Sequence, residues 1–145
     1  MTKKVMVLMG GFSAEREVSL QSGAGIAEAL RRKGYEVTTH DLSDTRQLLA
    51  ELGRSKPDVV FNALHGNWGE DGTVPALLDL LQIPYTHSGM QASCVGMNKY
   101  LCRLIAEKAG LKTAYGRKLT AREFITQGSP VARPFVVKHA SDGSS

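Results

Sequence analysis

Apolar residues over the first 89 positions alternate between short unbroken runs and helical spacings. Residues 5–9 form an unbroken apolar run, which predicts a strand buried on both faces of a parallel sheet. Residues 19–33 repeat apolar positions every three to four residues and end before Gly34, which predicts a helix. The alternation continues with predicted strands at 35–40, 59–64 and 83–86 and predicted helices at 41–52 and 74–81. Four strands and three helices predict an α/β fold with a Rossmann-like, doubly wound parallel sheet over residues 1–89.

The pattern changes near residue 89, where we place a domain boundary. Residues 98–109 predict a helix whose Leu101, Leu104 and Ile105 face inward. A strand-like segment at 115–119 and a short, mainly apolar segment at 135–138 predict two strands, and the capping-box pattern of Thr120 and Glu123 predicts a helix between them. No later element follows the last strand, so we expect residues 90–145 to form only the first part of a second domain.

Composition narrows the classes of function. The chain has 145 residues, 42% of them hydrophobic and 22% charged, which suits one globular core. Its formal net charge is +4, but no dense basic run is interleaved with aromatic residues, which argues against nucleic-acid binding. Cys94 and Cys102 lack the spacing of a zinc site or a disulfide framework. No apolar stretch suits a signal peptide or a membrane span, so we expect a cytoplasmic protein.

Two loops that follow predicted strands carry candidate binding residues. Residues 10–17 contain two glycines and Glu15, whose carboxylate could hold an ammonium group. Residues 65–72 begin with His65, which can donate or accept a hydrogen bond near neutral pH. The carboxyl ends of parallel strands meet at one sheet edge, so we expect the two loops to be neighbours.

Each loop also has a purely structural interpretation, which stays open. The glycines could simply make a tight connection between strand and helix, and His65 could cap a strand end. Glu70 and Asp71 are expected to begin the next helix, with Asp71 or Thr73 as its N-cap, rather than to bind a metal with His65.

A second group of residues suits phosphate. Lys99 and Lys138 are point charges for phosphate oxygens, and backbone N–H groups around Gly143 could wrap a phosphate. The alternative for either lysine is an exposed, solvated side chain. The candidate residues together describe an amino-acid site beside a phosphate site.

Three motifs carry a family resemblance: LMGGFSAEREVSL at 8–20, HGNWGEDG at 65–72 and VKHASDGSS at 137–145. In this order they resemble the D-alanine–D-alanine ligases of the ATP-grasp superfamily. The resemblance implies that residues 1–89 are the substrate-binding, pre-ATP-grasp domain and residues 90–145 the truncated start of the ATP-grasp central domain. It implies that Glu15 binds the ammonium of the first D-alanine and orients Ser144, with His65 beside that substrate. It further implies that Lys99, Lys138 and Ser145 belong to the ATP site.

The implied reaction joins two D-alanines, with ATP and an acyl-phosphate intermediate, for peptidoglycan precursor synthesis. The resemblance implies ATP, Mg²⁺ or alternatively Mn²⁺, and a cytoplasmic homodimer whose partners are D-alanine and ATP, with no nucleic acid or membrane. The metal ligands and the adenine contacts are expected beyond residue 145, so we expect an incomplete fragment that is inactive alone.

Two other functions stay open. One is a non-catalytic, Rossmann-like module that binds a small ligand, and the other is a ligase that joins D-alanine to D-lactate. Residues 139–142 read His-Ala-Ser-Asp where the family often has Pro-Ser-Arg-Glu, which puts the properties of that loop in question.

Overall fold

The computed structural model describes residues 2–142 and contains a parallel sheet of three strands. The strands are β1 (Lys4–Gly10), β2 (Glu36–Leu42) and β3 (Val59–Asn62), in the order β2-β1-β3. β1 is central and pairs in parallel with both neighbours. The predicted α/β fold with a Rossmann-like parallel sheet is therefore confirmed.

Six helices accompany the sheet within the described residues. They are α1 (Arg16–Arg32), α2 (Thr45–Ser55), α3 (Thr73–Leu80), α4 (Met90–Met97), α5 (Lys99–Lys108) and α6 (Ala121–Gln127). The carboxylate of Asp44 accepts a hydrogen bond from the Arg46 N–H at 2.8 Å and so caps α2. α6 opens with the predicted capping box, in which Thr120 and Glu123 each bond the other's backbone N–H.

Both faces of the sheet are covered, which explains the unbroken apolar run in β1. On one face, Met6 and Leu8 pack in a buried cluster with residues from α2 and α3. On the other face, Val7 packs with Ala27 of α1. α1 lies so close to the sheet that a Cβ on its Gly23 would come within 2.5 Å of the Met9 Cβ. The carboxyl ends of the strands are thus held in fixed relation to the start of α1.

Several predicted elements differ from the structure. Residues 83–86 are not a fourth strand, because only Tyr85 bridges to Val60 and Pro84 has no N–H to extend the pairing. α2 begins four residues later than predicted because β2 continues to Leu42. α4 was not predicted, since its segment lacks a clear apolar face.

The second half of the described chain differs most from the prediction. Residues 115–119 and 135–138 are irregular rather than strands, because no strand after β3 pairs with them within residues 2–142. Leu101, Leu104 and Ile105 are exposed rather than inward, since α5 packs against α4 but not against the sheet. The buried apolar core comes from positions 5–78. The domain boundary near residue 89 stays a prediction.

Candidate functional site

The loop between β1 and α1 needs both of its glycines. Gly10 and Gly11 have φ values of +83° and +89°, a left-handed conformation that favours glycine. A side chain at Gly10 would also collide, because its Cβ would lie 2.1 Å from Oδ1 of Asp41. The Gly11 N–H donates to the Leu42 carbonyl at 3.0 Å and holds the loop against the end of β2.

An ion pair between Arg16 and Asp41 also stabilises this loop. The Arg16 guanidinium donates two hydrogen bonds to the carboxylate, at 2.7 and 2.6 Å, and a third to the Gly11 carbonyl at 3.3 Å. The hydrogen bond with Asp41 raises the pKa of Arg16 above its ordinary value. This two-pronged geometry joins the start of α1 to the end of β2.

Glu15 lies at the N-cap position of α1, but its carboxylate caps no backbone N–H of that helix. The side chain instead reaches the second loop, where Oε2 lies 2.9 Å from the position that a Cβ on Gly66 would occupy. Within residues 2–142 this carboxylate makes no hydrogen bond or ion pair. A half-buried carboxylate in this setting suits a cationic group of a ligand.

The second loop, between β3 and α3, uses its acidic residues to hold its own backbone. The Gly66 N–H donates to Oε2 of Glu70 at 2.7 Å. Asp71 accepts from the N–H groups of Trp68 and Thr73, each at 2.9 Å. The N-cap of α3 is Gly72, so the prediction of Asp71 or Thr73 as N-cap was wrong by one position.

The backbone N–H groups of this loop favour the charged form of Asp71. Burial alone would raise the pKa of Asp71, but hydrogen bonds from the backbone N–H groups of Trp68 and Thr73 outweigh it and lower the pKa. The charged form of Asp71 is therefore the form that stabilises the loop.

His65 opens the second loop and is linked to the first loop through Ser13. The Ser13 hydroxyl donates to the His65 carbonyl at 2.8 Å and accepts from the Glu15 N–H at 3.2 Å. The imidazole Nε2 of His65 is buried and has no hydrogen-bond partner among the described residues. A buried nitrogen without a partner is costly, which marks this side chain as one that a ligand could satisfy.

Lys99 lies in a cleft between the second loop and α4. Its Nζ donates to the Asp142 carbonyl at 2.7 Å, and its backbone N–H donates to the Ala140 carbonyl at 2.9 Å. The cleft has a volume of about 470 Å³, and Glu70 forms part of its wall. Among the described residues, the cleft is lined by Gly69, Glu70, His87, Ser88, Ala92, Ser93, Gly96, Met97, Lys99 and Asp142.

The structure thus brings the candidate residues together in two groups. Glu15 and His65 lie on two loops that Ser13 joins by hydrogen bonds, and Lys99 contacts the segment that follows Lys138. Lys138 itself is exposed. Ser144 and Ser145 lie outside the described residues, so their predicted roles stay predictions.

Sequence reasoning missed the residues that hold the loops in place. Ser19 and Asn62 are fully buried polar residues, and Asn62 donates to the Gly69 carbonyl at 2.8 Å. The residue pair Arg16 and Asp41 is separated by 25 positions. Neither the buried polar residues nor the ion pair produces a periodic pattern in the sequence. A polar residue at the end of an apolar run, as at Asn62, is nevertheless a hint of a buried polar group.

Comparison with known proteins identifies the family. The family profile described as D-ala D-ala ligase N-terminus matches residues 4–56 and 43–88. The chain belongs to this family. A D-alanine--D-alanine ligase from Paramagnetospirillum magneticum is 49% identical over 146 residues, which cover 100% of this chain and 48% of that protein. The chain therefore spans about half the length of the curated relatives that it matches, and the predicted resemblance is confirmed.

Solved structures of family members agree with the fold. A D-alanine--D-alanine ligase from Bacillus anthracis matches with a TM-score of 0.78 and 33% identity, covering 99% of this chain and 47% of that one. A structure from the same organism, complexed with ATP, matches with a TM-score of 0.73 and 31% identity, covering 89% of this chain and 46% of that one.

None of the helices within residues 2–142 is both long and apolar enough to cross a bilayer. Over the same residues, no three His, Cys, Asp or Glu side chains are grouped so that they could hold a metal ion.

Proposed function

We propose that this chain supplies the first-substrate site, and part of the ATP site, of a D-alanine–D-alanine ligase. In this reaction ATP transfers its γ-phosphoryl group to the carboxylate of one D-alanine and leaves as ADP, and the amine of a second D-alanine then displaces phosphate to form the peptide bond. The family, and relatives named for this activity that match the whole chain, support the proposal.

The observation that carries the proposal is that Glu15 and His65 both lie next to Gly66. Within residues 2–142, Glu15 brings a carboxylate without a hydrogen-bond partner to within 2.9 Å of the Cβ position at Gly66, and the adjacent His65 has a buried nitrogen without a partner. An anionic oxygen and a polar nitrogen on one small surface suit the ammonium and carboxylate of a free amino acid. We assign Glu15 to the ammonium group and His65 to the same D-alanine.

We assign the nucleotide side to Lys99 and Lys138, with Ser144 and Ser145 in the loop that closes over the reacting groups. Lys99 lines the 470 Å³ cleft, and its contacts with residues 140 and 142 link that cleft to the segment after Lys138. Lysines in such a cleft neutralise phosphate charge, which phosphoryl transfer requires. A relative solved with ATP supports nucleotide use.

The remaining parts of the proposal concern the whole ligase. We propose that Mg²⁺ is held by residues beyond residue 145, because residues 2–142 contain no suitable group of ligands and the relatives extend further. We propose a homodimer in the cytoplasm, with D-alanine rather than D-lactate as second substrate.

The test uses a protein of the relatives' length that carries this chain as its first 145 residues. ADP release is measured against D-alanine and against ATP in wild type, Glu15→Gln and the control Glu17→Gln, which alters an exposed carboxylate on the same turn. A charge-assisted hydrogen bond contributes about 1.5–3 kcal/mol, so Glu15→Gln should raise KM for the first D-alanine by about 10- to 100-fold. KM for ATP should change less than about twofold.

Three results would contradict parts of the proposal. An unchanged KM for D-alanine in Glu15→Gln would remove the ammonium role. D-alanine binding without any ATP-dependent turnover would favour a binding module. Faster turnover with D-lactate than with D-alanine as second substrate would favour the alternative ligase.

A further inference from the structure

Ser19 lies between the ends of the two strands that lead into the candidate site. It lies in the first turns of α1 and is fully buried. Its hydroxyl accepts from the Gly10 N–H at 2.9 Å and donates to the Ala63 carbonyl at 2.7 Å. One side-chain oxygen therefore joins the end of β1 to the residue that follows β3.

The pairing of the strands explains what this hydroxyl replaces. The Ala63 N–H donates to the Leu8 carbonyl at 2.8 Å, which continues the parallel pairing one step past β3. In a parallel ladder the next bond would run directly from the Gly10 N–H to the Ala63 carbonyl. The Ser19 oxygen stands between these two groups and bonds to both.

An oxygen inserted into the ladder holds the strand ends farther apart than a direct bond would. The separation occurs where β1 continues into the loop that carries Glu15 and where β3 continues toward His65. Ser13 connects the same two loops farther out, by its hydrogen bond to the His65 carbonyl. Ser19 therefore bridges the two strands just before the loops that carry Glu15 and His65.

We propose that Ser19 is a positioning residue for the first D-alanine, acting by wedging β1 and β3 apart at their carboxyl ends. This inference rests on the proposed function. Loss of the hydroxyl lets the Gly10 N–H and the Ala63 carbonyl approach and pair directly. This approach moves the two loops relative to each other and misplaces Glu15 and His65, whereas Lys99 lies on a separate element.

The test measures KM for D-alanine and for ATP in the ligase that carries this chain. Ser19→Ala removes the wedge, and Ser19→Cys keeps a side chain there with a much weaker donor and acceptor. Ser22→Ala is the matched control, because Ser22 lies one turn along α1 and its hydroxyl donates to the Val18 carbonyl of the same helix. Small misplacements are costly, so we expect about a tenfold or larger rise in KM for the first D-alanine in Ser19→Ala, with KM for ATP within about twofold.

The outcomes separate positioning from general stability. A lower melting temperature with both KM values unchanged, or an equal rise in both, would overturn the inference, as would the same rise in Ser22→Ala. If Ser19→Ala does not fold, the same selective rise in Ser19→Cys supports the proposal, and its absence refutes it.

A structural measurement keeps the inference distinct from the proposed function. A crystal structure of the folded Ser19 variant should show altered spacing between the Gly10 nitrogen and the Ala63 oxygen, and unchanged spacing would refute the wedge. Wild-type ligase that turns over ATP without using D-alanine would refute the proposed function instead, while leaving this spacing to be measured.

Discussion

Replacing Gly66 by alanine tests how closely the two loops approach. Gly66 has a φ of +68°, and an added Cβ would lie 2.9 Å from Oε2 of Glu15 and 3.0 Å from Cβ of Ser13. Ser13 cannot withdraw easily, since its hydroxyl is bonded to the His65 carbonyl. We therefore expect the methyl group to push on the carboxylate assigned to substrate.

The expected loss of folding stability has two parts, and Gly34→Ala measures the first part alone. A left-handed conformation costs alanine about 1–2 kcal/mol, partly offset by the lower entropy of its unfolded chain. Gly34 has a φ of +86° with nothing near its Cβ position, so Gly34→Ala should cost about 1 kcal/mol. Gly66→Ala adds overpacking of about 1–3 kcal/mol, for a total of about 3 kcal/mol.

Urea unfolding of the 145-residue chain, followed by the fluorescence of its single tryptophan, measures both variants. That residue, Trp68, lies in the second loop and packs against Phe12 of the first loop, with ring centroids 5.2 Å apart. Equal losses of stability in the two variants would refute the tight contact. An unchanged KM for D-alanine in a ligase carrying Gly66→Ala would refute the link from this contact to Glu15.

Two further predictions concern helix starts. The pKa of Asp71 is lowered from 3.8, so the stability that its charge contributes is present above that value and is lost as the pH falls through the lower, folded-state pKa. Asp71→Asn should accordingly be less stable than wild type at neutral pH, with a gap in urea unfolding that narrows below about pH 4; a constant gap would contradict this. Thr120→Ala removes the capping box of α6 and should cost about 1 kcal/mol, seen as faster hydrogen exchange at the Glu123 N–H, with exchange in α1 unchanged.

The sheet was predictable because its apolar runs are long and bounded by clear stop signals. Residues 5–9 face covered surfaces on both sides, so the pattern of β1 needs no information from elsewhere in the chain. The neighbouring position of the two loops follows from the parallel direction of β1 and β3. Glu15 and His65 could therefore be named as neighbours from the sequence.

The predictions that failed depend on distant partners. Residues 115–119 and 135–138 have strand-like composition, but strand formation requires a hydrogen-bonded neighbour, and the described structure has none for them. The same holds for Leu101 of α5, whose helical spacing is real but whose apolar side is exposed. The local pattern indicates which side chains of a segment could be buried. Whether they are buried depends on the elements that pack against the segment.

The candidate substrate site depends as much on backbone geometry as on its two charged or polar side chains. Glu15 reaches the second loop because Gly66 has no side chain, and Ser13 and Ser19 bind the backbone carbonyls of His65 and Ala63. Substitutions at these positions would change substrate affinity without touching the substrate. The presence of Glu15 and His65 alone is thus insufficient to assign this site to another chain of the fold. Gly66, Ser13 and Ser19 must also have counterparts at the corresponding positions.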